Sequence, residues 1–307
     1  MCTTTPPPSR IMRRLTILFP SEFLEEHAEE ELSNQSEAKL FYTPTRHHHM
    51  KLHLANAIPD PLVPFAEKQY DRTMKLIGVR EKLSALDSSL AAEFFESHDE
   101  FEKYLNEISH SPVSRWLSDA SSRLGEEFGN WDTCIRYYCL MRKLEPDTVI
   151  ETGVRHGQST LFILAALQMN KHGSLISIDY PLREDEASDE LIHRNPNCVI
   201  PAGKDPGWII PEQLTKRWKL FEGPSQQHLV DVLSNMEDID VFIHDSEHSV
   251  NCMLFEYEAA WPRIGHTGVL ISDDINSNNA WQTFVASKSI RQLGKITNNV
   301  GYAVKER

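Results

Sequence analysis

Three short stretches and one isolated acid concentrate the residue types that bind ligands or move protons. Residues 151–160 (ETGVRHGQST) combine a carboxylate, two glycines and two hydroxyls. Gly153 would permit a tight turn and Gly157 a close approach just before a helix. Ser159 and Thr160 would set hydroxyls beside free N–H groups that attract a carboxylate. A plain turn followed by helix capping would look the same, so this loop alone decides nothing. Asp179 follows 26 residues after Gly153, about where an open α/β sheet places an acid for ribose hydroxyls. Loop and acid together point to an adenosine-bearing ligand. A nicotinamide dinucleotide and S-adenosyl-L-methionine both fit that description. The run Gly153-Val154-Arg155-His156-Gly157 lacks the middle glycine of GxGxxG, which hinders a pyrophosphate and suits a smaller amino-acid tail.

The downstream stretches carry acids. Residues 240–248 (DVFIHDSEH) end an apolar run in Asp245, with His248 three residues on, and residues 268–274 (GVLISDD) end in Asp273 and Asp274. Three carboxylates in one cleft repel unless a hard cation such as Mg²⁺ joins them, with water and a substrate oxygen completing its shell. The bland alternative makes Asp273 or Asp274 a helix cap and Asp245 a contact to a ligand amine. His248, with an ordinary pKa near neutral, is a candidate general base, and a packed, hydrogen-bonded histidine is the alternative. His156 is the second candidate base.

Alternating strands and helices must position these residues. Apolar, β-branched runs predict strands over 148–152, 175–179, 218–222, 239–244 and 268–272. Helices are expected over 159–169, 247–261 and 278–286, and a terminal hairpin over 295–297 and 300–304 around Asn298-Asn299. The pattern implies right-handed βαβ units in a doubly wound, mostly parallel sheet with an antiparallel edge. Residues 181–216 form a long connection with five prolines, two glycines and Trp208. Leaving the carboxyl end of a strand, it reads as a lid over the site.

Residues 69–145 read as a helical cap, with Phe94, Phe95, Phe101, Tyr104, Leu105 and Ile108 at helical spacing and a second strong helix over 131–144. Residues 1–68 differ and read as an appendage of unassigned role. They hold a TTTPPPS stretch, a glutamate-rich helical segment over 22–32, and His47, His48, His49 and His53, which diverge too much on a regular element to favour a metal.

The 307 residues carry 45 acids against 31 bases, a formal charge of −14. That charge disfavours general nucleic-acid binding and anionic membrane surfaces. A small-molecule acceptor fits better, with a homo-oligomer as the expected assembly. Five scattered cysteines without a CxxC pair suggest reduced thiols, and no apolar run approaches the roughly 20 residues of a membrane span, so a cytoplasmic location is expected.

Taken in order, VIETGVRHGQST, GSLISIDYP, DVFIHDSEHS, the apolar helix running to AAWPRIG, GVLISDD and ITNNVGYAV resemble the class I methyltransferases of the type 24 family. These include relatives of the cephalosporin-hydroxylase-like and macrolide-sugar O-methyltransferases. The resemblance runs from about Asp132 to Val304 and implies a Rossmann-like domain over 146–307 that uses S-adenosyl-L-methionine. By it, Glu151, Gly153 and Gly157 would line the cofactor, and Ser159 and Thr160 would meet its carboxylate. Asp179 would hold the ribose, and Ser225 the adenine edge. Asp245 would sit near the methyl-bearing end, and with Asp273 and Asp274 would hold a divalent cation. The implied reaction is O-methylation of a small-molecule hydroxyl. A nicotinamide-dependent oxidoreductase, a hydroxylase-associated member and a non-catalytic member remain the alternatives.

Overall fold

The computed structural model describes residues 94–110, 112–124, 131–194 and 198–306, all within one compact unit, Val79–Arg307. The four grouped histidines and the acidic helix read before residue 68 lie outside the described residues.

Three helices come first: α1 (His98–Ile108), α2 (Val113–Leu124) and α3 (Trp131–Leu144). Then β1 (Thr148–Thr152), α4 (Gln158–Asn170) and β2 (Ser174–Asp179) form the first βαβ unit. The connection that follows is built of β3 (Leu182–Arg183), α5 (Asp189–Arg194), β4 (Val199–Ile200) and a 3₁₀ turn, Glu212–Arg217. The remaining elements are β5 (Trp218–Glu222), α6 (Ser225–Ser234), β6 (Ile239–His244), α7 (Val250–Ala260), β7 (Ile264–Ser272), α8 (Ala280–Ala286), β8 (Ile290–Lys295) and β9 (Gly301–Lys305).

Seven strands make one sheet in the order β5-β2-β1-β6-β7-β9-β8, parallel except for β9, which runs antiparallel to both neighbours. The expected doubly wound sheet and terminal hairpin are both present. Strand order reverses between β1 and β6, so the helices that follow them leave on opposite faces and open a crevice above their carboxyl ends. Every functional stretch of the sequence ends there.

Both faces are covered, as an all-parallel core requires. On one, α4 is apolar around its girth and buried from Thr160 to Leu167. On the other, Ile150, Ile178, Phe242 and Leu270 meet Met253 and Tyr257 of α7 and Trp281 and Phe284 of α8.

Local boundaries differ from expectation where polar caps intervene. Helix α7 starts at Val250 rather than 247, because the Ser249 hydroxyl caps it by accepting from the Cys252 N–H at 3.3 Å. His248 therefore sits in the loop before the helix. Asn278 likewise accepts from the Ala280 N–H at 2.8 Å, delaying α8. The first hairpin arm runs over 290–295 instead of 295–297. Helix α6 was not expected, although Leu229, Val232 and Leu233 repeat at helical spacing and are buried. Among the described residues, no helix is long and apolar enough to cross a membrane.

Candidate functional site

At the end of β1 the chain must turn sharply past the end of β6. Gly153 has φ +87°, and a Cβ there would lie 1.9 Å from the Asp245 carbonyl oxygen. Only glycine fits. The loop is then fixed from within by Asp179, whose Oδ1 accepts from the N–H groups of Val154 at 2.8 Å and Arg155 at 3.4 Å. Its Oδ2 is buried and has no hydrogen-bond partner among the described residues. Burial raises the Asp179 pKa, against the two backbone donors that lower it. An inward-facing acceptor left over at this position awaits a donor pair.

Glu151, Ser159 and Thr160 are brought together. Glu151 is wholly inaccessible. Its carboxylate accepts from Ser159 Oγ at 2.7 Å, Thr160 Oγ1 at 2.7 Å and Ser177 Oγ at 2.9 Å. The two hydroxyls assigned to a cofactor carboxylate are thus spent on a protein carboxylate. Burial pushes Glu151 up to about 7 despite those donors. Ser225 is also turned inward, its hydroxyl buried 3.8 Å from Cys252 Sγ. At Gly157 (φ +95°) the crowding neighbour is Gly207, whose Cα would lie 2.8 Å from an added Cβ. His156 is nearly inaccessible, and its Nδ1 accepts from Trp208 Nε1 at 3.1 Å. That bond occupies the lone pair a general base would need.

The acidic end of the crevice is assembled from three loops. Backbone bonds from Asp245 N to the Thr152 carbonyl at 2.8 Å and from Asp273 N to the His244 carbonyl at 2.9 Å align the ends of β1, β6 and β7. Asp245, His248 and Asp273 each offer a ligand atom within 4.8 Å of the others. Asp274 stands apart: its Oδ2 meets His248 Nδ1 at 3.0 Å, and Asn299 Nδ2 donates to its Oδ1. His248 Nε2 is buried without a hydrogen-bond partner among the described residues, 3.7 Å from Asp245 Oδ1. Asp245, Asp273 and His248 are thus the described residues grouped closely enough to share an ion, with Asp274 bonded to the imidazole.

Charge crowding is severe here. Burial in the cleft, then the carboxylates of Asp273, Glu151 and Asp274, push Asp245 well above the usual carboxylate range. Its side chain is still 37% accessible through the cleft mouth, so like-charge crowding is the cause we weight most. His248 is moved down, by burial first and then by His244, with Asp274 and Asp273 opposing.

Two groups escaped the sequence reading. Buried His244, the last residue of β6, pairs through Nδ1 with Glu256 Oε2 of α7 at 2.6 Å. Glu256 also accepts from Thr152 at 2.5 Å and Ser246 at 2.6 Å, so it ties the ends of β1 and β6 to α7. Burial pushes Glu256 up, but its hydrogen bond to His244 and that residue's charge outweigh this and leave its pKa low. The histidine in IHDSEH was the available signal. On the opposite face, Cys134 and Tyr137 of α3 are nearly inaccessible and raised by burial, then by Asp245. The cap helix thus borders the acidic cluster, which an aromatic helical stripe does not announce.

Residues 150–275 match the model of a family described as a methyltransferase domain, type 24. Among curated proteins, none matches the chain by sequence. Solved structures with a similar fold include a methyltransferase from Geobacter sulfurreducens, at 15% identity over 69% of this chain and 98% of that one, with a TM-score of 0.43. The MycE methyltransferase of mycinamycin biosynthesis, solved with Mg, S-adenosylhomocysteine and mycinamycin VI, is 15% identical over 67% of this chain and 63% of its own, with a TM-score of 0.42. The S-adenosylhomocysteine-bound PaMTH1 of Podospora anserina is 12% identical over 74% and 96%, with a TM-score of 0.41.

Proposed function

Because residues 150–275 match the model of this methyltransferase domain family, we propose that the protein transfers a methyl group from S-adenosyl-L-methionine to a hydroxyl oxygen of a small molecule. The observation that carries the reading is the unspent Oδ2 of Asp179, buried at the end of β2 beside the β1 loop. A ribose diol supplies the donors that this oxygen lacks. The cofactor, when bound, supplies an electrophilic methyl group on a sulfonium. Asp179 would hold its ribose, while Glu151 with Ser159, Thr160 and Ser177 would keep the loop in place from beneath. Asp245, at the end of β6, would border the reacting end.

Asp245, Asp273 and His248 also fit a divalent cation, because His248 Nε2 is a buried donor atom with no other use. Such an ion would relieve the carboxylate crowding and acidify the acceptor hydroxyl. An imidazole ligand favours Mn²⁺ at least as much as Mg²⁺. The same geometry supports a second reading, in which His248, oriented by Asp274, takes the acceptor proton itself.

Calorimetry with S-adenosylhomocysteine and with NADH tests the main reading: the first should bind and the second should not. Binding of NADH alone would replace it with a nicotinamide-dependent oxidoreductase. Chelation separates the two treatments of the hydroxyl. A lower Tm in chelator, restored by Mn²⁺ or Mg²⁺, supports the ion, since a ligand of the folded state stabilises it. Full stability and turnover after exhaustive chelation would leave His248 as the base.

A further inference from the structure

The connection between β2 and β5, expected to be a lid, lies hydrogen-bonded against the β1 loop. Four contacts do this, one of them from the Ile209 N–H to the His156 carbonyl at 3.5 Å. The Gly207 N–H donates to the Arg155 carbonyl at 2.8 Å. Trp208 Nε1 donates to His156 Nδ1 at 3.1 Å, with the two rings perpendicular at 5.9 Å. Arg155 Nε reaches the Val199 carbonyl at 3.5 Å.

The approach depends on glycine at both contact points. A Cβ on Gly157 would collide with Gly207 Cα at 2.8 Å, and one on Gly207 (φ +74°) with the Trp218 ring at 2.3 Å. The segment is itself tethered, because Arg183 donates to Glu222 at 2.5 Å and to the Lys204 carbonyl at 3.3 Å. The Lys204 ammonium also lies 5.3 Å from the centre of the Trp208 ring.

We propose that Trp208, with Gly207, is a positioning residue for cofactor binding: it braces residues 154–157 from outside while Asp179 holds them from inside. The proposal rests on the S-adenosyl-L-methionine reading above. Arg155 shows why two grips are needed. It sits at φ +51°, a left-handed conformation that a non-glycine residue leaves unless its surroundings hold it there. If the loop relaxes, the Val154 and Arg155 N–H groups leave Asp179 Oδ1, and Oδ2 loses its aim. A loop held in its bound shape spares the ligand the ordering cost, so the brace acts on affinity. It acts on the loop that Asp179 anchors, and so serves the cofactor rather than the acceptor.

Trp208→Phe keeps the ring but removes the indole donor, and His156→Ala removes the acceptor. Each should weaken S-adenosylhomocysteine binding about three- to tenfold by calorimetry, the scale of one hydrogen bond. The double variant should be no worse than the weaker single, since both break one contact. The Tm of Trp208→Phe should stay close to wild type. Unchanged affinity in Trp208→Phe, or losses that multiply in the double variant, would overturn the brace. Limited proteolysis of ligand-free protein gives an independent measure. The wild type should resist cleavage within 201–217 and Trp208→Ala should not, whereas ready cleavage of the wild type there would restore a mobile lid. Wild-type protein that fails to bind S-adenosylhomocysteine would overturn the functional reading instead, and proteolysis would still decide the brace.

Discussion

Replacing Glu151 by Gln tests whether a carboxyl beneath the β1 loop is held near neutrality by the fold. Its side chain is wholly enclosed, and burial moves its pKa from an ordinary 4.5 to about 7. Between those values the folded chain retains a proton that the unfolded chain has released. The unfolded state then binds fewer protons, so stability falls as pH rises through this window and is level above it. Each pH unit is worth about 1.4 kcal/mol, which sets a ceiling of about 3.4 kcal/mol on the loss. Gln cannot ionise, so its variant escapes that loss. It forfeits about 1 kcal/mol, because the amide nitrogen cannot accept from a hydroxyl as a carboxyl oxygen does. Urea unfolding at pH 5 and pH 8 isolates most of the effect, since titrating groups remote from Glu151 contribute equally to both proteins. Wild type should lose at least about 1 kcal/mol more than Glu151→Gln between the two pH values. Parallel pH profiles for the two proteins would refute the raised pKa and the account of this network.

Asp179→Ala removes both the loop anchor and the diol acceptor and should raise the S-adenosylhomocysteine Kd at least about tenfold by calorimetry, whereas Asp179→Asn, which keeps Oδ1, should lose less. Gly153→Ala forces a Cβ to within 1.9 Å of the Asp245 carbonyl oxygen; thermal unfolding should show a loss of about 2 kcal/mol or more, because backbone must move. Asn299→Ala frees Asp274 and with it the His248 ring, so kcat should fall about tenfold in a methyl-transfer assay while S-adenosylhomocysteine Kd holds. Equal losses in both quantities would make Asn299 merely structural.

The chain's own pattern determined the architecture. Short apolar runs such as TVIET and IDVFIH, separated by helical segments, are buried from both sides only in a parallel sheet, and all five predicted parallel strands are present. Pattern also located the ends of those strands, and so the acids Asp179, Asp245 and Asp273 that share the crevice. It could not say where each side chain points. Whether Ser159 and Thr160 meet a ligand or Glu151 depends on which face of β1 Glu151 takes and on how closely α4 follows. Asp274 was read as a metal ligand from the family resemblance; in the fold it has φ +52°, accepts from Asn299 and meets His248 Nδ1. Asn299 lies 25 residues further on in a hairpin turn. The partnership of His244 with Glu256, and of His156 with Trp208 across 52 residues, is equally invisible in sequence. Periodicity is a local property of neighbouring residues, whereas proton sharing, ligand reach and bracing depend on distances of 3–4 Å between segments that only the closed fold brings together.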